Sequence, residues 1–277
     1  MTQPTYRVRV PKAGTSKKTG LRHRLSETKK EKFYWWGGLL LVPVIWQLYS
    51  MVAESPLIVG PVEVVPAAIS MIQDGVLLEA AAQSGSVFLA GMATGAVFGL
   101  LVGILVGRFR AVDVMLDPYI SALYATPLVA LIPILVVALG FGFPAKVVIV
   151  AIFAFFPIAI NTAAGVRGIP TDFDELARSF CSTELQAWRD ILLPGALPFI
   201  VTGLRLAVGR ALIAVVVAEF STAVTGLGFV ILRNSRRFEI ADSLVPVVLL
   251  TLTGFLLYTL LKRIENRLAP WTLSSRG

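Results

Sequence analysis

The sequence predicts an all-α integral membrane protein with about six transmembrane helices. Of its 277 residues, 56% are hydrophobic and 15% charged, a balance outside that of ordinary soluble domains. Apolar runs close to the roughly 20 residues that a helix needs to cross a bilayer recur at Trp36–Val52, Gly85–Gly107, Tyr119–Leu139, Ala145–Gly165, Leu197–Phe220 and Leu244–Leu261. The runs are continuous rather than alternating, which argues against the strands of a lipid-embedded barrel.

The net charge of +8 is confined to one place. Residues 1–34 carry Arg7, Arg9, Lys12, Lys17, Lys18, Arg22, Arg24, Lys29, Lys30 and Lys32 against only Glu27 and Glu31. This reads as a disordered basic tail that holds the N-terminus in the cytoplasm, with anionic headgroups of the lipid bilayer as an added partner and no nucleic acid. A transmembrane domain is expected from residue 35 to 277. The basic stretch is too long for a cleaved signal peptide, and the apolar part continues through "GGLLLVPVIWQLYSMVA", so the first span is read as uncleaved. "GTSKKTGL" mimics a phosphate loop, but five residues separate Gly14 from Gly20 and Leu21 follows, where four residues and then Lys-Ser/Thr are needed. Cys181 is the sole cysteine and His23 the sole histidine, which excludes an internal disulfide and a cysteine-built metal site. No metal, cofactor or catalytic constellation is expected on the chain itself.

With the tail inside, six spans place both termini in the cytoplasm. The first external loop, Ala53–Ser84, has Glu54, Glu63, Asp74 and Glu79 and no lysine or arginine. Arg108 and Arg110 follow the second span, and Lys262, Arg263 and Arg267 follow the sixth, all inside as the charge rule requires. "RNSRRFE", with Arg233, Arg236 and Arg237, dissents by falling outside. The second span carries Gly91, Gly95, Gly99, Gly103 and Gly107, a ladder whose four-residue spacing lets a neighbouring helix approach to backbone distance. Pro127 and Pro133 interrupt the third span, Pro157 the fourth and Pro246 the sixth. Each removes a backbone donor and favours a kink, as expected of a pathway that opens or, equally, of a static bundle. Asn161 and Thr162 in the fourth span line a route or bond a neighbouring backbone.

After Arg167 comes a polar island. "GIPTDFDELARSF" has a cap at Thr171 or Asp172 and Glu175 three residues after Asp172; "STELQAWRD" places Gln186 three residues after Thr183. Both are capping boxes, so two short helices are expected, the first ending near Phe180, with a break at Cys181–Ser182. Such an island either lies on the membrane surface or plugs into a soluble partner.

"ELARSFCSTELQAWRDILLP", residues 175–194, resembles the cytoplasmic signature loop of ABC-importer permeases, in which Glu-Ala-Ala is followed after three residues by Gly and nine residues further by Ile-x-Leu-Pro. Glu175, Leu176 and Ala177 take the triplet, with Arg178 next; Cys181 takes the Gly position, and Ile191, Leu193 and Pro194 close the motif. Leu176 and Cys181 depart from the usual residues, and a side chain at a left-handed helix end would cost about 1 kcal/mol. "FFPIAINTAAGVRGIP", "LPGALPFIVTGLRLAVGRA" and "VVVAEFSTAVTGLGFVI" resemble the subgroup importing sulfonates, taurine and nitrate, over roughly Ser86–Arg267. The resemblance implies the type I ABC importer permease fold in a bacterial inner membrane, with residues 168–194 as the coupling loop. It further implies a second permease copy, two cytoplasmic ATPase subunits that bind ATP and Mg, and an external substrate-binding protein.

Arg205, Arg210 and Glu219 fall within the fifth span, where ionisable groups are functional candidates. Their spacings of five, nine and fourteen residues forbid mutual pairing in a straight helix, so they must meet other spans, another subunit or water. Arg205 is expected to brace the coupling loop. For Arg210 bracing and an anion pathway stand level, and the resemblance puts Glu219 near the external gate. An ion-gradient-driven secondary transporter would need coupling carboxylates deep in the spans and internal repeats, neither of which is evident. A mere scaffold would leave the loop motif unexplained.

Overall fold

A computed structural model describes residues 34, 37–53, 55, 57–170, 179 and 182–268. The basic tail lies outside these residues apart from Tyr34. All regular structure among them is helical. Helix α1, Gly37–Val52, belongs to a unit of its own, Met1–Pro61. Within it the Trp46 indole Nε1 donates to the Val59 carbonyl at 2.9 Å, returning the chain to the helix that it leaves.

The second unit, Val62–Gly277, begins with α2, Pro61–Gln73, and α3, Val76–Arg108. These helices occupy much of the expected loop from Ala53 to Ser84. Gly75 makes the sharp turn between them at φ +74°, a conformation that only glycine adopts at little cost. Next come α4, Arg110–Ala125, α5, Leu128–Leu139, and α6, Phe143–Arg167. A helical turn at Glu184–Ala187 and a π turn at Trp188–Leu192 lead into α7, Leu193–Thr222, followed by α8, Leu227–Arg236, and α9, Ile240–Leu268.

Among the described residues, four helices are long and apolar enough to cross a membrane: α3, α6, Leu185–Thr222 and Ile240–Arg267. The expected third span, Tyr119–Leu139, is not one helix. It is broken between α4 and α5 by a 96° bend, because Pro127 lacks an N–H and drives the preceding Thr126 into extended backbone (ψ 140°). The expected loop "RNSRRFE" is also partly helical, with Arg233 and Arg236 in the last turn of α8.

Helix α3 packs against α6 with the glycine ladder at the contact. A Cβ built on each glycine would meet Val150 (Gly91), Ala154 (Gly95), Ile158 (Gly99), Thr162 (Gly103) and Val166 (Gly107) at 2.5–3.0 Å. The partner number exceeds the glycine number by 59 every time (150 − 91, 154 − 95, and so on). The two helices therefore run parallel and in constant register over four turns. On its other side α6 meets α7, where a Cβ on Gly203 would lie 3.0 Å from the Pro157 carbonyl and one on Gly165 would lie 2.6 Å from the Phe199 Cβ. The main core, including Ile132, Ile149, Phe153, Ala207 and Val215, fills the space among α3, α5, α6 and α7.

Replacing Gly99 by Leu should lower the melting temperature in detergent, the cost of overpacking being ~1–3 kcal/mol. Gly85→Ala, where an added Cβ meets nothing within 4 Å, should leave it unchanged or slightly raised. Equal stability of the two variants would remove the close-approach account.

Candidate coupling segment and membrane-embedded charges

Glu175, Leu176, Ala177, Arg178 and Cys181, together with the first capping box, lie outside the described residues. The second half of the island is described from Ser182 onward. Thr183 and Gln186 form a reciprocal cap: the Thr183 backbone N–H donates to Gln186 Oε1 at 2.8 Å and the Gln186 N–H donates to Thr183 Oγ1 at 3.3 Å. This satisfies donors that a helix start leaves unpaired. The helix it starts does not end before the membrane, as two short helices would require. It passes through the π turn, where the Leu193 N–H reaches the Trp188 carbonyl, and continues as α7. Pro194 sits at that junction without a donor for the preceding turn, and a widened turn is one way to absorb the missing bond.

This lead-in has two faces. Trp188 packs on Val166, Ala196 and Ile200, and Leu192 is buried. Leu185 is 79% exposed, Leu193 is exposed beside Arg189 and Asp190, and Ile191 is half-buried. A cavity of about 300 Å³ opens between the end of α6 and the start of α7, lined by Gly165, Gly168, Ile169, Pro170, Asp190, Ile191, Gly195 and Phe199. At the same end, Arg167 closes α6 by pairing with Asp113 at 2.7 Å and Asp117 at 3.2 Å on α4, while Arg110 holds Asp113 at 3.0 Å. The segment is thus rooted on a charged clamp and presents apolar and charged groups outward.

At the far end of the bundle, Glu219 is completely buried. Ser84 on α3 donates its hydroxyl to Glu219 Oε1 at 2.7 Å, and the Gly228 N–H donates to Oε2 at 2.8 Å. The Leu227 N–H donates in turn to Ser84 Oγ at 2.8 Å. The carboxylate and hydroxyl therefore cap the N-terminus of α8, where anionic oxygens are favoured. Lys146, near the start of α6, is close enough to act electrostatically on Glu219 and donates to the Thr225 carbonyl at 3.2 Å and hydroxyl at 3.0 Å. Three elements and the α7–α8 turn meet on this one carboxylate.

The arginines of α7 meet other spans. Arg205 pairs with Glu265 on α9 at 2.8 Å and lies over the Tyr258 ring, 5.4 Å from its centroid. Arg210 is exposed, donates to the Tyr124 hydroxyl at 2.8 Å and lies 4.6 Å from that ring's centroid. Asn161 donates from Nδ2 to the Pro157 carbonyl of its own helix at 2.7 Å, at the crossing with Gly203.

Residues 95–274 match the family described as "Binding-protein-dependent transport system inner membrane component". The chain belongs to this family. It is 30% identical to SsuC of Bacillus subtilis, a permease protein named for transport of aliphatic sulfonates, over 96% of this chain and 98% of that protein. It is 30% identical to the taurine transport system permease protein TauC of Escherichia coli over 84% and 86% of the two chains. Among solved structures, it superimposes on a chain of the MetNI methionine ABC transporter with a TM-score of 0.57 at 23% identity, covering 67% of this chain and 93% of that one. The fold is that of an ABC importer permease, and the protein is a multi-pass transport component of the bacterial inner membrane. Membership in a binding-protein-dependent system implies an ATPase and a substrate-binding protein as partners.

Sequence reasoning singles out Glu219 but misses its partners Ser84 and Lys146, since Ser84 falls at the end of the expected Ala53–Ser84 loop and Lys146 is the second residue of the expected Ala145–Gly165 span. A lysine one residue into an apolar run, in "FPAKVVIVAIF", was the available signal. It also missed Tyr124, Asp113, Asp117 and Glu265 as the groups that receive the arginines.

Removing the Ser84 hydroxyl by Ser84→Ala should destabilise the protein by about 1–3 kcal/mol, because the Leu227 N–H and one Glu219 oxygen lose their buried partner. Faster amide exchange should be confined to the start of α8. Unaltered exchange there, measured by mass spectrometry in detergent, would dismiss the cap.

Proposed function

We propose that this chain is the translocating subunit of an ATP-driven importer for a small anionic solute of the sulfonate, taurine or nitrate kind, delivered by the external binding protein. Two identical copies form the pathway, and two cytoplasmic ATPase subunits grip residues 168–194. ATP and Mg belong to those subunits. Relatives named for transport of aliphatic sulfonates and taurine support the solute class, as does a nitrate import permease protein, NrtB of Leptolyngbya laminosa, 34% identical over 66% of this chain.

One observation carries the coupling reading. The capped segment that presents Leu185, Arg189 and Asp190 outward is the first part of a single apolar helix, Leu185–Thr222, of 38 residues. A partner that holds its outer turn therefore holds the root of a span. Asn161, at the crossing of α6 and α7, and Glu219, at the end away from the coupling segment, are assigned to the route and its external gate. The basic tail keeps the N-terminus on the ATPase side.

The test is a mild-detergent pull-down of the tagged chain from its native membrane. A phosphate-loop ATPase should be recovered with it. Glu175→Lys and Leu185→Asp should each reduce that recovery at least ~10-fold, the loss of about 1.4 kcal/mol or more of docking energy, while leaving the melting temperature of the bundle unchanged. Unchanged recovery and uptake in both variants would refute the coupling role, and reproducible isolation of a chain that transports alone would refute the ATP-driven reading.

A further inference from the structure

Of the cations that the bundle places within its spans, Arg210 stands apart. Arg205 is neutralised by Glu265, and Arg167, at the end of α6, by Asp113 and Asp117. Lys146 is buried, doubly hydrogen-bonded to Thr225 and within electrostatic reach of Glu219. Among the described residues no carboxylate pairs with Arg210. Its one hydrogen-bonded side-chain partner is the neutral Tyr124 hydroxyl, which leaves most of the five guanidinium N–H donors available.

Its depth makes this unusual. Arg210 lies 17 residues after Leu193 and 12 before Thr222, roughly 25 Å and 18 Å along the helix, and so near the middle of the bilayer. A charged side chain exposed to lipid there costs several kcal/mol, yet in the single chain this one is exposed. It is therefore turned toward water or toward a second copy across a wet cavity.

The surroundings fit a polar route. Tyr124 stands two residues before the Thr126–Pro127 break, and irregular backbone at membrane depth is tolerated where it lines a cavity or is buried in protein. Tyr124 also lines a cavity of about 350 Å³ between α4 and α6, together with Ser121, Ile120, Ala159, Ile160, and the Asp117–Arg167 pair at its charged end. A guanidinium stacked on an aromatic ring keeps its planar fork oriented. That fork matches the oxygens of a planar or tetrahedral oxyanion.

We propose that Arg210, held by Tyr124, is the intramembrane anion-recognition point of the translocation route, receiving the oxyanion group of the solute as it passes the bilayer centre. This rests on the importer reading above and adds to it the residue that reads the solute's charge. A cationic solute is repelled there, and a neutral one offers no charged oxygens to the guanidinium fork.

Gly209 supplies a reporter, since it is exposed and a Cβ there meets nothing within 4 Å. In membrane vesicles carrying Gly209→Cys, an anionic thiol reagent bearing a sulfonate and a cationic one bearing a trimethylammonium group are compared. Each rate is normalised to that with a free thiol, and peptide mapping separates the label from that on Cys181. The sulfonate reagent should be favoured roughly fivefold or more, the scale of one nearby charge in a partly aqueous site. That preference should vanish with Arg210→Gln and persist with Arg210→Lys. Leu206→Cys, one turn away on the same exposed side, provides a second reporter should the first variant misfold. Absence of labelling at both positions, or a preference indifferent to Arg210→Gln, overturns the proposal. An anion preference in a chain that recruits no ATPase would uphold this site and reject the importer reading. A chain that recruits its ATPase but lacks the preference would reject this site alone.

Discussion

The approach of α3 to α6 is made by backbone rather than by side chains, and the other packing relations are built around it. Lipid tails offer no hydrophobic gain when two apolar helices meet, so association relies on dispersion at short range. The five glycines supply that range. Any Cβ in their place would stand 2.5–3.0 Å from a side chain or carbonyl of α6, closer than van der Waals contact allows. The partners Val150, Ala154, Ile158, Thr162 and Val166 repeat every four residues as the glycines do, so the two stripes drift around their helices together. This shared drift keeps the register constant from one end of the contact to the other. With one face fixed on α3, α6 turns its opposite face to α7, and small residues again set the distance at Gly165 and Gly203.

The ionisable groups are distributed accordingly. Desolvating a charge is costly unless its hydrogen bonds are replaced, and Glu219, Lys146 and Arg167 sit where helix ends and loops offer such replacements, whereas Arg205 and Arg210 lie within α7 and meet side chains of other helices. Glu219 is the instructive case. Its buried carboxylate takes a hydroxyl from α3 and an N–H from the first turn of α8, donors that would themselves be unsatisfied without it. The group is therefore part of how the chain turns from α7 into α8, at Ala223 in the left-handed conformation and Gly226 at φ +101°. A substituent on Gly226 would collide with the Glu219 carboxylate itself, which explains a glycine there on steric as well as conformational grounds.

What could be read from the sequence was what local chemistry decides. The ladder and the Thr183–Gln186 cap depend on residues a few positions apart, and the structure presents them at those positions; of the six apolar runs, four lie on helices long enough to cross a membrane. The break at Thr126–Pro127 is half legible: Pro127 marks an interruption, but a shallow kink and a 96° bend are both compatible with the same residue, and only the packing of α5 selects between them. The helices within Ala53–Ser84 were obscured by acidic residues that read as loop and that the structure instead places on helix surfaces and first turns, Glu63 and Glu79 among them. Least legible were contacts across the chain. Ser84 is 135 residues from Glu219, and Tyr124 is 86 from Arg210; no periodicity joins such pairs, and only the fold brings them together.

The geometry of Leu185–Thr222 bears on how a push at one end would be felt at the other. Its 38 residues span roughly 57 Å at 1.5 Å per residue. The root is the pliant part: it holds a π turn, and Pro194 and Pro198 each deprive the preceding turn of a donor. Beyond Pro198 no proline follows in the helix, and Thr202 and Ser221 bond only carbonyls of their own preceding turns. The helix crosses α6 at Gly203, with Leu185 18 residues before the crossing and Glu219 16 after it. A displacement applied at Leu185 would therefore be taken up first at the pliant root, and only the remainder would reach the stretch from Phe199 onward that packs on α6. Arg210 lies seven residues past Gly203 and Glu219 near the far tip, so the buried cap of α8 is the last of these groups that such a displacement would reach. The network that would oppose such motion is the one centred on Glu219, and its hydrogen bonds to Ser84 and Gly228 are what opening at that end would have to break.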